Sequence, residues 1–314
     1  MTRPNSCPFS LLIAIAVGVS HCAAAERLYV ALPSRIMTFD KAGTLLNSFP
    51  VAGTLVRNIA VDSWGSIYAV GMFATNDGVL HSTVTKYDPT GNSLGVIASR
   101  DSSESHFLGL AIKNNDTLYV GVNSGFDSVE RFSVTGTPLG TFATISTPAP
   151  GAPFDIVFDS GVNMYVPDAT LIEKFNASGA SLGSFASIPS VPTGNLMFDL
   201  AISSDDYVYA STLDDKVYRF SPTGVAQVID PQIDIRSIAV DGDDVLFVAG
   251  GGSGNNVGQI KTFQANGTPT GIFATNLPGE PIDMEFVTVV PEPNSCILAV
   301  VGTLIPIYRR RRAK

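Results

Sequence analysis

The sequence predicts an all-β fold built from six similar units. An aromatic residue followed four positions later by glycine recurs along the chain at nearly even spacing. The six pairs are Phe39 and Gly43, Tyr87 and Gly91, Phe132 and Gly136, Phe175 and Gly179, Phe220 and Gly224, and Phe263 and Gly267. Successive aromatics lie 48, 45, 43, 45 and 43 residues apart, which is the period of a four-stranded blade in a β-propeller.

The order of apolar segments within a unit predicts four strands. The first is a short apolar segment, as in NIAVD at 58–62, with a small or acidic residue at its start in most copies, and the second contains an aromatic, as in SIYAV from Ser66. The third holds the repeated aromatic and ends at the glycine, which adopts the positive φ of a tight hairpin at little cost. The fourth has an apolar residue ten positions after the aromatic in five units: Phe49, Ile97, Phe142, Phe185 and Phe273.

The two ends of the repeat region predict how the ring closes. The first unit lacks a first strand. At the other end, the segment DMEFV at 283–287 matches a first strand, but no second, third or fourth strand follows it. Pairing these ends completes a sixth blade and closes the ring through strand hydrogen bonds. We therefore predict a six-bladed β-propeller over residues 26–290, with four antiparallel strands per blade and one composite blade made by the N- and C-terminal strands.

The units resemble the NHL-type repeat and the repeats of gluconolactonase and regucalcin-like proteins. The best-matching copy is NIAVDSWGSIYAV followed by VTKYDPTG, and the resemblance covers about Glu26 to Val287. It implies the same propeller fold. It implies no single activity, because such propellers include lyases, lactonases, scaffolds and receptors.

Residues 1–25 predict an export signal. Arg3 gives a basic start, residues 9–19 form an apolar core, and residues 23–25 are alanines suited to cleavage. The apolar run is too short to span a bilayer. Lipid attachment at Cys22 is the alternative, which His21 directly before it disfavours. We expect the chain to engage the export machinery and a signal peptidase.

Residues 291–314 carry the most specific motif. Pro291, Glu292 and Pro293 precede an apolar stretch over 296–308, and four arginines follow: Arg309, Arg310, Arg311 and Arg312. This order resembles the PEP-CTERM sorting signal of some Gram-negative and related bacteria, which implies processing by an exosortase-like enzyme. The alternative is a plain tail anchor, with the arginines on the cytoplasmic side. We expect localisation at the cell envelope, the outer surface or outside the cell, with a transient or retained C-terminal membrane anchor.

Composition excludes several classes of partner and site. The three cysteines, Cys7, Cys22 and Cys296, all lie in the terminal segments, so the predicted domain has no disulfide and no thiolate metal site. Residues 26–293 contain 13 Lys and Arg against 28 Asp and Glu, a net charge of −15. Because so acidic a body repels nucleic acid, we exclude nucleic acid as a partner.

The first residue of each first strand is expected at the mouth of the central channel, on the face with loops of variable length. These residues are Asn58, Gly109, Asp155, Asp199, Ser237 and Asp283. Hard cations favour oxygen ligands, so the acids and Asn58 are candidate ligands of Ca²⁺ or another divalent cation. The resemblance to lactonases also implies a metal at this end, although their acidic glycine–proline motif is missing. The alternative is that these polar residues cap strand starts and hydrate the channel.

Two functions from different classes follow. The first is an exported binding or structural protein whose variable face contacts an extracellular glycan, such as an exopolysaccharide, or a protein partner. The second is a metal-dependent lactonase-like or other hydrolase centred on Asp155, Asp199, Asp283 and Asn58. The only histidines after the export signal, His81 and His106, lie in no recognisable motif, so the sequence identifies no base for a serine nucleophile.

Overall fold

The computed structural model describes residues 24–51, 55–76, 78–101, 105–114, 116–145, 151–188, 197–251 and 258–290. These residues form 24 β-strands arranged as six blades of four strands. Blade 1 contains β1 (Ala25–Leu32), β2 (Arg35–Asp40), β3 (Leu45–Pro50) and β24 (Asp283–Val289). Blade 2 contains β4 (Leu55–Val61), β5 (Ile67–Ala74), β6 (Leu80–Tyr87) and β7 (Ser93–Asp101). Blade 3 contains β8 (His106–Lys113), β9 (Thr117–Asn123), β10 (Ser128–Ser133) and β11 (Pro138–Thr144).

The second half of the ring repeats this arrangement. Blade 4 contains β12 (Val157–Phe158), β13 (Met164–Asp168), β14 (Leu171–Phe175) and β15 (Ser181–Ser187). Blade 5 contains β16 (Met197–Ile202), β17 (Val208–Thr212), β18 (Val217–Phe220) and β19 (Ala226–Ile229). Blade 6 contains β20 (Asp234–Val240), β21 (Leu246–Gly251), β22 (Gly258–Phe263) and β23 (Pro269–Leu277).

Blade 1 closes the ring. In the other five blades, strands that follow one another in the chain are neighbours in an antiparallel sheet, whereas blade 1 has the order β24-β1-β2-β3. β24 pairs with β1 from Asp283 opposite Ala31 to Val289 opposite Ala25. The prediction of an all-β, six-bladed propeller with one composite blade is therefore confirmed.

The predicted terminal segments fall largely outside the described residues. This applies to residues 1–23 of the predicted export signal and to the whole of the predicted sorting segment, 291–314. Ala25, the last residue of the predicted signal, begins β1. Within the described part of the chain, no helix is long and apolar enough to cross a membrane.

The six repeated glycines occupy equivalent turns between the third and fourth strands. Their φ angles lie between +83° and +95°. Each also packs against the fourth strand of the preceding blade, so a Cβ atom at Gly43 would lie 2.9 Å from the carbonyl oxygen of Phe273, and one at Gly136 would lie 2.5 Å from that of Ile97. The spacing of the repeat thus records both a turn conformation and an interblade contact.

The hydrophobic core lies between neighbouring blades. The second strands of four blades carry fully buried tyrosines, Tyr29, Tyr68, Tyr165 and Tyr209. Each belongs to a cluster that includes residues of the next blade, as Tyr29 of blade 1 does with Ile59 of blade 2. Burial of an aromatic side chain is among the larger single contributions to folding, so these contacts hold adjacent blades together.

Hydrogen bonds from the turns between first and second strands join successive blades on the face opposite the variable loops. The donors are backbone amides and the acceptors are acids of the next blade: Ser160 N to Asp206 Oδ1 at 2.8 Å, Ser204 N to Asp244 Oδ1 at 2.8 Å, and Gly242 N to Glu26 Oε1 at 2.6 Å. The last of these joins blade 6 to blade 1. We call this side the turn face and the opposite side the loop face.

Candidate functional site

In each blade, the innermost strand or the residues directly before it contribute one residue to each successive layer along the central channel; the residues before the strand are used in blade 4, ahead of β12, and at Ile282, ahead of β24. At the loop face lies the mouth layer, which comprises Arg57, Leu108, Phe154, Phe198, Arg236 and Ile282. Directly below it lies the polar ring, the first-strand residues that the sequence indicated: Asn58, Gly109, Asp155, Asp199, Ser237 and Asp283. A third layer is apolar and comprises Ile59, Leu110, Ile156, Leu200, Ile238 and Met284. The structure therefore places the four candidate metal ligands in one layer.

A β-bulge separates the mouth layer from the polar ring in several blades. In β4 the pairing with β5 passes from Val56 to Asn58, so Arg57 is the extra residue. The same shift makes Phe198 extra in β16 and Arg236 extra in β20. A bulge changes the direction in which neighbouring side chains project. These three bulged residues line the mouth cavity, while the residue after each belongs to the ring.

The three aspartates of the polar ring bind the backbone of the next blade. In the next blade, the residue directly after the polar-ring residue donates its backbone amide to the carboxyl. The three bonds run to Asp155 Oδ2 from Leu200 N at 2.8 Å, to Asp199 Oδ2 from Ile238 N at 2.7 Å, and to Asp283 Oδ2 from Ile59 N at 2.6 Å. All three side chains are buried. They therefore act as interblade clamps, a role that the sequence did not indicate.

Burial dominates the electrostatics of the ring. It raises the pKa of Asp283 to about 8, and the carboxylate of Asp155 contributes in the same direction. Burial, followed by the charges of Asp155 and Asp283, also raises the pKa of Asp199 well above its usual range. The pKa of Asp155 is raised as well, chiefly by burial, while its interaction with the side chain of Asp199 acts in the opposite direction.

Asn58 completes the ring on the side of blade 2. Its Nδ2 atom donates to Asp155 Oδ1 at 3.3 Å. Its Oδ1 atom has no hydrogen-bond partner among the described residues, although the side chain is only 3% exposed. An unpaired buried acceptor carries a desolvation cost, so this oxygen is available to a donor or cation.

The candidate ligands only partly fit a divalent cation. The Asn58 oxygen is free to bind one, but at least one oxygen of each aspartate already accepts a backbone amide. Within the described ranges, no group of three or more His, Cys, Asp or Glu side chains is arranged to hold a metal ion. The predicted Ca²⁺ or other divalent-cation site therefore stays a prediction.

A cavity of about 460 Å³ opens above the polar ring. Its wall is the mouth layer, completed by Met72 and by residues of the β1–β2 and β23–β24 connections, among them Pro33 and Glu280. Arg236 is paired with Glu280 at 3.2 Å and with Asp234 at 3.3 Å, while Arg57 is exposed. The cavity thus combines aromatic, aliphatic and charged groups above a floor of carboxyl and amide groups.

A second cavity of about 270 Å³ lies below the ring within the channel. Its lining is apolar apart from the ring aspartates and Glu285, the next ionisable residue along β24. Burial, and after it the charge of Asp283, raises the pKa of Glu285 well above its usual range. Because Asp199 and Asp283 line both cavities, the ring is the boundary between them.

His81 forms a contact that its sequence context did not indicate. Its Nδ1 atom lies 2.7 Å from Asp101 Oδ1, and its Nε2 atom lies 3.0 Å from Thr75 Oγ1. The order hydroxyl, imidazole and carboxylate is that of a hydrolytic triad. However, the same hydroxyl lies 3.3 Å from the carbonyl oxygen of Val79, and none of these residues lines either cavity. We interpret the chain of contacts as support for the β5–β6 hairpin.

The chain is similar to several solved structures. A protein of unknown function from Bacteroides caccae has a TM-score of 0.63 and 9% identity, covering 84% of this chain and 99% of that one. A protein from Lactobacillus plantarum has a TM-score of 0.56 and 13% identity, covering 84% and 100%. The WD40 β-propeller domain of Doa1 has a TM-score of 0.54 and 11% identity, covering 84% and 86%. No protein-family model and no curated protein matches the chain, and at these identities the structural similarity establishes the propeller fold alone.

Proposed function

We propose that this protein is an exported binding propeller that recognises an extracellular glycan in the mouth cavity. The cavity carries the proposal: at about 460 Å³ it is within the range of small-molecule sites, and all six blades contribute to its wall. Aromatic side chains beside polar groups suit a sugar, which has apolar C–H faces and polar edges.

The chemical variety of the mouth layer supports recognition rather than a purely structural role. The third layer is uniform, with isoleucine, leucine or methionine in every blade. The mouth layer instead contains two arginines, two phenylalanines, a leucine and an isoleucine at equivalent positions. Packing alone favours repetition, so variation toward the loop face, above a uniform apolar layer, is typical of a binding surface on a rigid scaffold.

Binding of the mature protein to an array of bacterial exopolysaccharide fragments tests this proposal. We expect Phe198→Ala and Arg57→Ala each to weaken binding of the retained glycans at least tenfold. Phe126→Ala is the matched control, because Phe126 is 84% exposed and lies outside the cavity. Equal binding by wild type and both cavity variants would place recognition elsewhere and overturn the proposal.

We also propose export and sorting through the two terminal segments. The support is the order of basic, apolar and small residues in 1–25 and the Pro291-Glu292-Pro293, apolar and arginine order at the other end. Mass spectrometry of the protein from its own host should find a chain beginning near Glu26 and lacking Arg309 to Arg312. A mature chain that keeps residues 1–25 would contradict export, and one that keeps the arginines would favour the retained anchor.

A metal-dependent hydrolase is the second candidate, favoured by the unpartnered Oδ1 of Asn58 beside three carboxyl groups. A bound divalent cation would be held by Asn58, Asp155, Asp199 and Asp283 and would supply Lewis-acid activation of a carbonyl or of water. A rise in melting temperature with Ca²⁺ or Zn²⁺, reversed by EDTA and absent in Asn58→Ala, would support this candidate. No shift with either ion would remove it.

A further inference from the structure

We infer that the sugar recognised in the mouth cavity carries a primary ammonium group, which binds at the polar ring between Asp199, Asp283 and Asn58. This inference rests on the proposed function, since it names the class of glycan that the same cavity takes: one containing a free hexosamine. Three independent features of the described residues support it.

The floor of the cavity offers acceptors to a hydrogen-bond donor. Asp199 and Asp283 line the cavity and reach through to the channel below. Asn58 of blade 2, which donates to Asp155 of blade 4, is buried, and its Oδ1 atom has no hydrogen-bond partner among the described residues. An ammonium group has three donors and no acceptor, so it satisfies a floor of carboxyl and amide oxygens that a hydroxyl group, with one donor, satisfies only in part.

Four acidic groups meet at the floor and below it, and a cation bound beside them favours the ionised form of carboxyls whose pKa is raised by burial and by one another. No lysine, arginine or histidine occurs among the described residues that line the channel below the ring, whereas Glu285 adds a fourth acidic group there. Of the two arginines in the mouth layer, Arg236 is already paired with Asp234 and Glu280. The sequence from 26 to 293 has a net charge of −15, which also attracts cationic ligands over a longer range.

The wall of the cavity favours a sugar ring over a lysine side chain of a protein partner. Phe154, Phe198 and Leu108 give an apolar side, whereas Arg57 and the Arg236–Glu280 pair give a polar side. The ring of an aminated sugar has an apolar face and a polar edge, so it can contact both sides of the cavity wall at once. A lysine side chain has only methylene groups between its backbone and its ammonium group. It would therefore leave the polar side of the cavity without hydrogen-bond partners.

Titration calorimetry on the mature protein in EDTA tests the inference, with chitosan disaccharide, N,N′-diacetylchitobiose and cellobiose as probes. These ligands carry ammonium, acetamido and hydroxyl groups at equivalent positions. We expect the aminated disaccharide to bind at least tenfold more tightly than the other two. Asp283→Asn and Asp199→Asn should each abolish that preference, while the exposed-site control Asp230→Asn should keep it.

Other outcomes separate this inference from the proposal on which it rests. Equal binding of the three disaccharides, weakened by Phe198→Ala, would retain a glycan site and overturn the ammonium assignment. A preference for glucuronic acid over the aminated disaccharide would likewise retain a glycan site and overturn the ammonium assignment. Binding of Nα-acetyl-lysine amide as tight as that of the aminated disaccharide would overturn the sugar assignment in favour of a protein partner. If no disaccharide binds while array glycans do, the ammonium assignment fails and the proposed function stands.

Discussion

The repeated glycines are each required by two separate features of the fold. Each needs a positive φ, which the sequence predicted, and each also lies against the fourth strand of the preceding blade, which it did not. The second constraint depends on the distance between two blades, so no local pattern reports it. A glycine at the same φ with open space around it should therefore tolerate substitution better.

Blade 4 offers a matched pair for that comparison. Gly179 and Gly183 have φ angles of +83° and +86°, but a Cβ atom would meet the Phe142 backbone only at Gly179. We expect Gly183→Ala to cost about 1 kcal/mol from backbone strain alone. Gly179→Ala should cost roughly 3 kcal/mol, because the interblade contact must also shift. Urea denaturation measures both, and equal losses would contradict an interblade role for Gly179.

Asp168 gives a pH-dependent contribution to stability. It is 1% exposed, its Oδ2 atom has no partner among the described residues, and burial, then the charges of Asp127 and Glu173, raise its pKa to about 6. The folded state therefore holds this proton more tightly than the unfolded state. Its contribution is complete below about pH 4 and is lost as the pH rises through about 6.

We expect the Asp168→Asn variant to lack this dependence. Between pH 4 and pH 7 the wild type should lose about 1–2 kcal/mol relative to the variant, after allowance for screening. Asp230→Asn is the control, since the pKa of Asp230 is lowered, chiefly by its hydrogen bond from Lys216. A variant whose pH profile parallels that of wild type would show that Asp168 ionises normally in the folded protein.

At the scale of strands and turns, the sequence predicted the order and pairing of the strands better than the direction in which their side chains project. The aromatic–glycine spacing gave the third strands and their turns, and the unmatched ends gave the pairing of β24 with β1. The bulges at Arg57, Phe198 and Arg236 were not predicted, because one extra residue leaves the apolar pattern of a short strand almost unchanged. The mouth layer was missed for the same reason.

The polar ring illustrates the same limit for function. Residue type and position indicated that Asp155, Asp199 and Asp283 would lie near the channel mouth. Their acceptance of amides from the next blade depends on partners 45, 39 and 224 residues away in the chain. Spacing within one unit contains no information about such contacts, so carboxylates that clamp blades and carboxylates that bind a cation produce the same sequence pattern.

The hydrogen bonds between turns of successive blades contribute to stability, and the energetic coupling of their two partners can be measured. Ser160 donates to Asp206 through its amide and also through its hydroxyl, at 2.6 Å. In a double-mutant cycle, Ser160→Ala and Asp206→Asn should show a coupling of about 0.5–1 kcal/mol in unfolding free energy. Ser160→Ala combined with Asp244→Asn is the control and should be additive, because Asp244 accepts from Ser204 instead. Coupling in the control alone would refute the assignment.

At the scale of the whole molecule, the junction between blades 6 and 1 joins the two ends of the repeat region. β24 supplies the strand pairing, and Lys41 supplies a charge at the same junction on the turn face. Its Nζ atom lies 2.8 Å from Glu26, 3.2 Å from Asp241 and 2.7 Å from Asp243. One lysine thus neutralises part of a group of three acids that belong to two blades.

We expect Lys41→Met to weaken ring closure through repulsion among the acids that remain. The loss in unfolding free energy should be about 1–2 kcal/mol at low salt and should shrink in 1 M NaCl, where charges are screened within a few ångströms. Lys216→Met is the matched control, because Lys216 pairs with Asp230 inside blade 5. Salt titrations of the denaturation midpoint distinguish the two positions. If both variants lose the same stability with the same salt dependence, Lys41 is an ordinary surface ion pair and closure depends on β24 alone.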